Sequence, residues 1–242
     1  RGGDYPVVKT LEFSDEDSGT PSASVTWRAY NNEEVRFLGG KVIKGFQPVK
    51  DESVLSRLGK DAGGMIVVAD LRSQGIDDYG LLKSRGFARP TAPAHGELFF
   101  NNRPMTLARW PNEGQYEHIA KFPDGAGSDD GHGTTMGDLT AGFFFDSDRP
   151  SGWKNTENIW IHGYWAYDWA NSYERVAEIN HIKGFVKTAA PYGNYAFNKN
   201  QRFYFLNIIE ELDQPGEWYL DSKSGMLYFW PPSPADQGEA LL

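Results

Sequence analysis

Short bursts of alternating apolar and polar residues, separated by turn residues, run through the chain and predict strands far more than helices. Between residues 5 and 43 the bursts VVKTLEF, ASVTWRAY and EVRFLGG alternate with turn clusters at Asp15–Ser22 and Asn31-Asn32. Such close spacing suits a sandwich, a barrel or the coils of a solenoid. GMIVVADL (Gly64–Leu71) reads as a buried strand. Glu97–Asn101 and Met105–Trp110, around a turn at Asn102-Arg103-Pro104, read as a hairpin, and Tyr173–Asn180 with Lys183–Thr188 as another. The clearest hairpin is Glu217–Asp221 with Met226–Trp230, joined by Ser222–Gly225 and ended by Pro231-Pro232. Only two places predict helix. Asp51 is an N-cap before ESVLSRL, with Val54, Leu55 and Leu58 on one face. Phe203–Leu212 fits either period, and Pro215-Gly216 as a stop favours a short helix centred on Asn207–Leu212. Asp124–Gly137 has almost nothing to bury and is expected to be the most mobile internal stretch.

The pattern breaks at Glu157–Asn171, ENIWIHGYWAYDWAN, which crowds Trp160, Tyr164, Trp165, Tyr167 and Trp169 together with His162 and Asp168. As a strand of period two, it puts Trp160, His162, Tyr164 and Asp168 on one face. Ile161, Trp165, Tyr167 and Trp169 fall on the other. The second set is the more apolar and is expected to be buried. The first mixes rings with hydrogen-bonding groups, as a sugar site does. Core packing of the whole stretch stands as the other reading, because large aromatics dominate core energetics. Arg109, beside Trp110, is a further candidate for holding a carboxylate or sulfate while a ring stacks, or else a structural ion pair.

Composition narrows the function. A formal charge of −9, with acids and bases interspersed, argues against nucleic acid as a partner. There is no cysteine, hence no disulfide or thiolate site. No apolar run approaches a membrane span, so no membrane partner is expected. Gly and Pro make up 41 of 242 residues, above the usual level of roughly 12% and typical of a turn-rich β protein. No phosphate or dinucleotide motif appears, and no cofactor is expected. SDDGHGT (Ser128–Thr134) holds two acids and a histidine that could ligate a metal, but it matches no EF-hand or zincin pattern and reads as a mobile loop, so no metal site is assigned. Glu97, Asp168, Glu174, Glu210, Glu211 and Asp213 are carboxylates of the kind that hydrolyse glycosides in pairs. Spacing pairs no two of them, so the catalytic residues are unknown. The opening Arg1-Gly2-Gly3-Asp4-Tyr5 reads like the middle of a strand-turn unit, and the chain is expected to be a piece of something longer.

Three long motifs carry a resemblance: ELFFNNRPMTLARWPNEG (Glu97–Gly114), IWIHGYWAYDWANSYERVAEIN (Ile159–Asn180) and ELDQPGEWYLDSKSGMLYFWPP (Glu211–Pro232). They resemble secreted bacterial carbohydrate-active proteins of the right-handed parallel β-helix type, including glycoside hydrolases similar to α-fucosidases and xylanases. RGGDY and EDSGTPSASVTWRAYNNEEVRFLGG resemble the first β-helix coil of that group. The resemblance implies a mainly β chain: residues 1–48 as the first coil, and residues 49–242 as a sandwich- or barrel-like insert. It implies a secreted or periplasmic location, and a polysaccharide or oligosaccharide and the rest of the β-helix as partners. The catalytic acids of such hydrolases are expected beyond Leu242, so none is transferred and the chain alone is expected to be inactive. Its expected role is to shape a glycan cleft through Arg109, Trp160, His162, Tyr164 and Asp168. A stand-alone carbohydrate-binding module and a purely structural cap of the β-helix are the alternatives.

Overall fold

The computed structural model describes every residue except Val8, Asp61 and Gly63. Among the described residues the protein is mainly β, with one four-residue α-helix, Glu52–Leu55, and a few 3-10 turns. As expected, the helix is started by Asp51, whose carboxylate accepts the amide of Ser53 at 2.8 Å.

The largest sheet has eight strands. Its main path runs Arg109–Trp110, Arg202–Leu206, Trp160–Tyr164, Asn171–Asn180, Phe185–Thr188 and Phe143–Phe144. Glu117–His118 adds to the Arg202–Leu206 strand and Arg85–Gly86 to the Asn171–Asn180 strand. A five-stranded sheet runs Gln47–Pro48, Val67–Asp70, Met226–Phe229, Glu217–Asp221 and Thr106–Leu107. A four-stranded sheet contributes Ile43, Phe100 and Ala240 to the core between these two, where Trp160 and Leu206 meet Leu107, Trp218, Leu220, Leu227 and Phe229. The arrangement is sandwich-like. Alternation in Met226–Phe229 makes it so: Leu227 and Phe229 enter this core, while Met226 and Tyr228 face a smaller one under the helix residues Val54 and Leu55. A third cluster covers the other face of the large sheet, where Ile161, Trp165, Phe203 and Phe205 pack on Phe143, Phe145, Trp153 and Phe197.

Several expectations hold. The Glu217–Asp221 and Met226–Phe229 strands pair antiparallel, Trp218 opposite Phe229 and Asp221 opposite Met226. Asn171–Asn180 pairs back on Phe185–Thr188, and Val67–Asp70 is a strand. Others need correction. Met105–Trp110 does not fold back as a hairpin; only Phe99–Phe100 and Arg103–Pro104 pair, around Asn101 and Asn102 at φ 51° and 61°. Two left-handed asparagines make the tight turn that ends the hairpin early. The chain then crosses, pairing Thr106–Leu107 parallel with Glu217–Trp218 and Arg109–Trp110 with Phe205–Leu206. Arg202–Leu206 is a strand, not helix, because two neighbours claim its backbone; only Ile209–Glu211 curls into a 3-10 turn. Residues 124–137 hold a small hairpin, Gly127–Asp129 against Thr135–Gly137. Asp129 and Asp130 cap its tip by accepting the amides of Gly131 and His132 at 2.6 and 2.8 Å.

In the first forty residues, Gly3–Pro6 pairs parallel with Val35–Leu38, Gly3 opposite Val35. The burst at residues 23–30 forms no strand and includes Trp27, 72% exposed. Trp27 meets the ring of Phe13, edge-on at 5.2 Å, and both rings remain exposed.

Candidate aromatic and cationic face

The strand Trp160–Tyr164 is central to the large sheet, bonded on both sides. The register decides what surrounds the side chains of Trp160, His162 and Tyr164. His162 lies opposite Tyr204 on one side and Tyr173 on the other; Trp160 lies opposite Leu206 and Arg175; Tyr164 lies opposite Asn171. Arg109 lies opposite Leu206, and Arg85 opposite Tyr173. Cross-strand partners share a face. Residues scattered over more than 120 positions of sequence therefore stand side by side.

The contacts close on themselves. The His162 ring is 5.0 Å from Tyr204, whose face is covered by the Arg109 guanidinium at 3.4 Å. Arg109 lies 5.8 Å from the ring of Tyr116, and Tyr116 lies 5.8 Å from the Arg202 guanidinium. Arg202 sits 3.9 Å over Tyr164, and Tyr164 is 5.8 Å from His162. On the far side His162 is 4.5 Å from Tyr173, which carries the Arg85 guanidinium at 4.1 Å. Stacking of this kind is worth about 0.5–2 kcal/mol per contact, according to how well the pair is desolvated.

Tyr164, Tyr173, Tyr204, Arg85 and Arg202 are half-buried, and Tyr116 is exposed. His162 is 9% exposed, and its Nε2 is 3.4 Å from Asn171 Oδ1 while Nδ1 has no partner. Burial first, and then the charges of Arg109, Arg85 and Arg202, lower its pKa to about 4. It is a neutral ring at neutral pH. His95, which faces Arg85 at 3.2 Å, is lowered to about 4 for the same reasons.

Of the five residues proposed from the sequence, four meet on this face. Arg109, His162 and Tyr164 belong to the closed circuit, and Asp168 pairs with Arg202 from the bend that follows the strand. Arg109 is held by the carbonyls of Pro111 and Gln115 at 2.8 and 2.9 Å, not by a carboxylate. Trp160 does not join them. It is 6% exposed in the core between the sheets and shows no open ring face. The opposite set also divides: Ile161 and Trp165 are buried, but Tyr167 and Trp169 are exposed, stacked 5.4 Å apart at 6°. The strand stops at Tyr164, and the bends that follow carry Tyr167 and Trp169 outward. Sequence reasoning missed Arg85, Tyr116, Tyr173, Arg202 and Tyr204. The alternation in RFYFL, which sets Arg202 and Tyr204 on one face, was the available signal.

The other carboxylates are occupied. Glu210 is gripped by Arg57 at 2.8 and 3.0 Å. Glu174 is buried with Arg89 and accepts Ser172 Oγ at 2.6 Å. Glu211, buried, receives Arg149 at 2.8 Å and the Trp153 indole at 2.5 Å, and Arg149 also holds Asp213 at 3.0 Å. Glu217 accepts the amides of Asp213 and Gln214, and burial pushes it up to about 8. Glu97 is exposed, away from this face, beside Phe37, Phe99 and Leu242. Among the described residues no three His, Asp or Glu side chains are grouped as metal ligands.

Comparison with known proteins places this geometry in context. Residues 185–232, which include the Arg202–Leu206 strand and the last hairpin, match the model of the GH141 insertion domain. The fold superposes on a solved chain described as a glycoside hydrolase, with a TM-score of 0.59 at 18% identity, covering all of this chain and 37% of that one. This likeness carries the fold, and the chain spans little more than a third of that protein. No curated protein matches.

Proposed function

We propose that this chain is a non-catalytic domain of a glycoside hydrolase-type protein and that its aromatic and cationic face contacts the glycan. The observation that carries the reading is the closed circuit around His162. Half-exposed rings, guanidinium groups and Asn171 stand on one sheet, with Asp168 reaching in from the bend after Tyr164, as recognition of a hydroxyl-rich ring requires. The same face supports a non-catalytic role. Two carboxylates flanking the bond are needed in most glycoside hydrolases, and the circuit through His162 brings in one, Asp168, paired with Arg202. Its similarity to the GH141 insertion domain supports the domain's place in a larger hydrolase.

On the same reading, residues 1–48 form the first coil of a parallel β-helix in a secreted or periplasmic protein, and residues 49–242 the insert. The parallel pairing of Gly3–Pro6 with Val35–Leu38 supports this, as does the apolar groove lined by Phe37, Leu38, Phe99, Leu241 and Leu242. The rest of the parent chain would cover that groove. Electrophoresis through polysaccharide-containing gels tests the reading. The chain is expected to be retarded by a glycan without releasing reducing ends, and Tyr164→Ala to restore free migration. Retardation by no polysaccharide, or turnover by the purified chain, would overturn it.

A further inference from the structure

In a chain of net charge −9, one face is charged the other way. Arg85, Arg109, Arg175 and Arg202 all fall by register on the His162 face, and the acid paired there among the described residues, Glu178, sits opposite Lys187 past the irregularity after Val176. Among the described residues, Arg85, Arg109 and Arg175 form no ion pair with a carboxylate. Arg85 Nε and His162 Nδ1 are buried without any partner. Buried polar groups are normally satisfied, and those left over mark a place where something else binds.

The stacking geometry narrows the ligand. Tyr173, Tyr204 and Tyr164 each have a ring face covered by a guanidinium, at 4.1, 3.4 and 3.9 Å. Those ring faces are closed to a neutral sugar. A guanidinium lying flat on a ring keeps its N–H edge in plane, and that edge matches a carboxylate or sulfate two bonds at a time. Arg202 already makes one such bond, from Nη1 to Asp168 Oδ1, and that carboxylate belongs to a side chain 73% exposed and easily displaced. Resting on the glycan reading above, we propose that this face recognises an acidic glycan: its carboxylate or sulfate ester displaces Asp168 from Arg202, and the sugar ring is presented to the exposed ring of Tyr116. A nucleic acid would offer anions and flat rings too, but it needs a broad basic footprint, which a chain of this charge lacks.

Calorimetry with four probes decides it: tetragalacturonate, its carboxyl-reduced neutral counterpart, a sulfated galactan tetrasaccharide that carries no uronate, and a four-residue oligothymidylate. Tighter binding of tetragalacturonate or of the sulfated probe is expected, and which of the two is tighter distinguishes uronate from sulfate ester. Arg202→Gln and Arg85→Gln should each weaken the acidic probe by roughly ten-fold, whereas Asp168→Asn should tighten it by removing the internal competitor. The His162 ring, followed by NMR, should titrate at higher pH once the anion is bound. Equal affinity for the neutral counterpart would overturn the charge inference while leaving the glycan reading standing. Binding of neither oligosaccharide would overturn both, and preference for the oligothymidylate would replace the glycan by nucleic acid.

Discussion

Trp165 and Trp169 differ by four positions, and simple alternation gives them the same fate; the structure gives them opposite ones. Trp165 is 4% exposed and packs on Phe143, Phe197 and Phe203, with centroids 6.1, 5.8 and 6.3 Å away. Its indole N–H donates to Ser172 Oγ at 2.8 Å, and Ser172 in turn donates to buried Glu174. The packing is tight: a β-carbon on Gly163 would fall 2.6 Å from the Trp165 ring. Replacing Trp165 by alanine should therefore cost about 3–5 kcal/mol for the lost burial and the cavity. Losing the hydrogen bond to Ser172 adds about 1 kcal/mol. Trp169, 60% exposed, loses only ring contacts with Tyr167, Phe87 and Tyr195, and Trp169→Ala should cost about 1 kcal/mol. Trp165→Phe, which keeps most of the volume but not the N–H, should fall between. Urea unfolding followed by fluorescence and circular dichroism gives the three values if the m-value is unchanged. Equal costs at the two tryptophans, or less than about 1.5 kcal/mol at Trp165, would refute the division of the stretch into a buried strand and an outward bend.

Two other predictions concern ionisation. His162 has a folded pKa of about 4, below its ordinary 6.5, so the unfolded chain takes up the proton first. Stability should be lost as pH falls from about 6.5 toward 4, by as much as about 3 kcal/mol from this residue. His162→Gln should flatten that part of the acid profile, although His95 contributes in the same direction; an unchanged profile in the variant would remove His162 from the account. Glu211→Ala leaves the half-exposed Arg149 with Asp213 alone and the buried Trp153 N–H without an acceptor, and should cost about 1–3 kcal/mol. A thermal melt within a degree of the parent would show that this network is not structural.

The strand content and the final hairpin were legible because alternation, turn residues and pairing coincide in Glu217–Trp230. The first forty residues were legible only in part: Val35–Leu38 alternates and pairs, but the burst at residues 23–30 alternates without joining a strand. The aromatic stretch misled where the backbone bends after Tyr164, since period two holds only while the strand lasts. Trp160 misled for another reason. It shares a face with His162, yet that face runs under the second sheet at one end and out to solvent at the other. The cationic partners of the site come from strands far apart in sequence, and register alone brings Arg85, Arg109 and Arg202 around His162. Single-chain pattern reading has no access to register across such distances.

The central claim is that glycan contact occurs on the His162 face. Amide-shift mapping of the isotope-labelled chain, titrated with oligosaccharides from partial hydrolysis of pectin and glucuronoxylan, tests it most directly. The account predicts that shifts cluster on Arg109–Trp110, Trp160–Tyr164, Asn171–Tyr173 and Arg202–Tyr204. Shifts confined to the exposed rings of Phe87, Tyr167, Trp169 and Tyr195, or to the groove around Phe37 and Leu242, would contradict it.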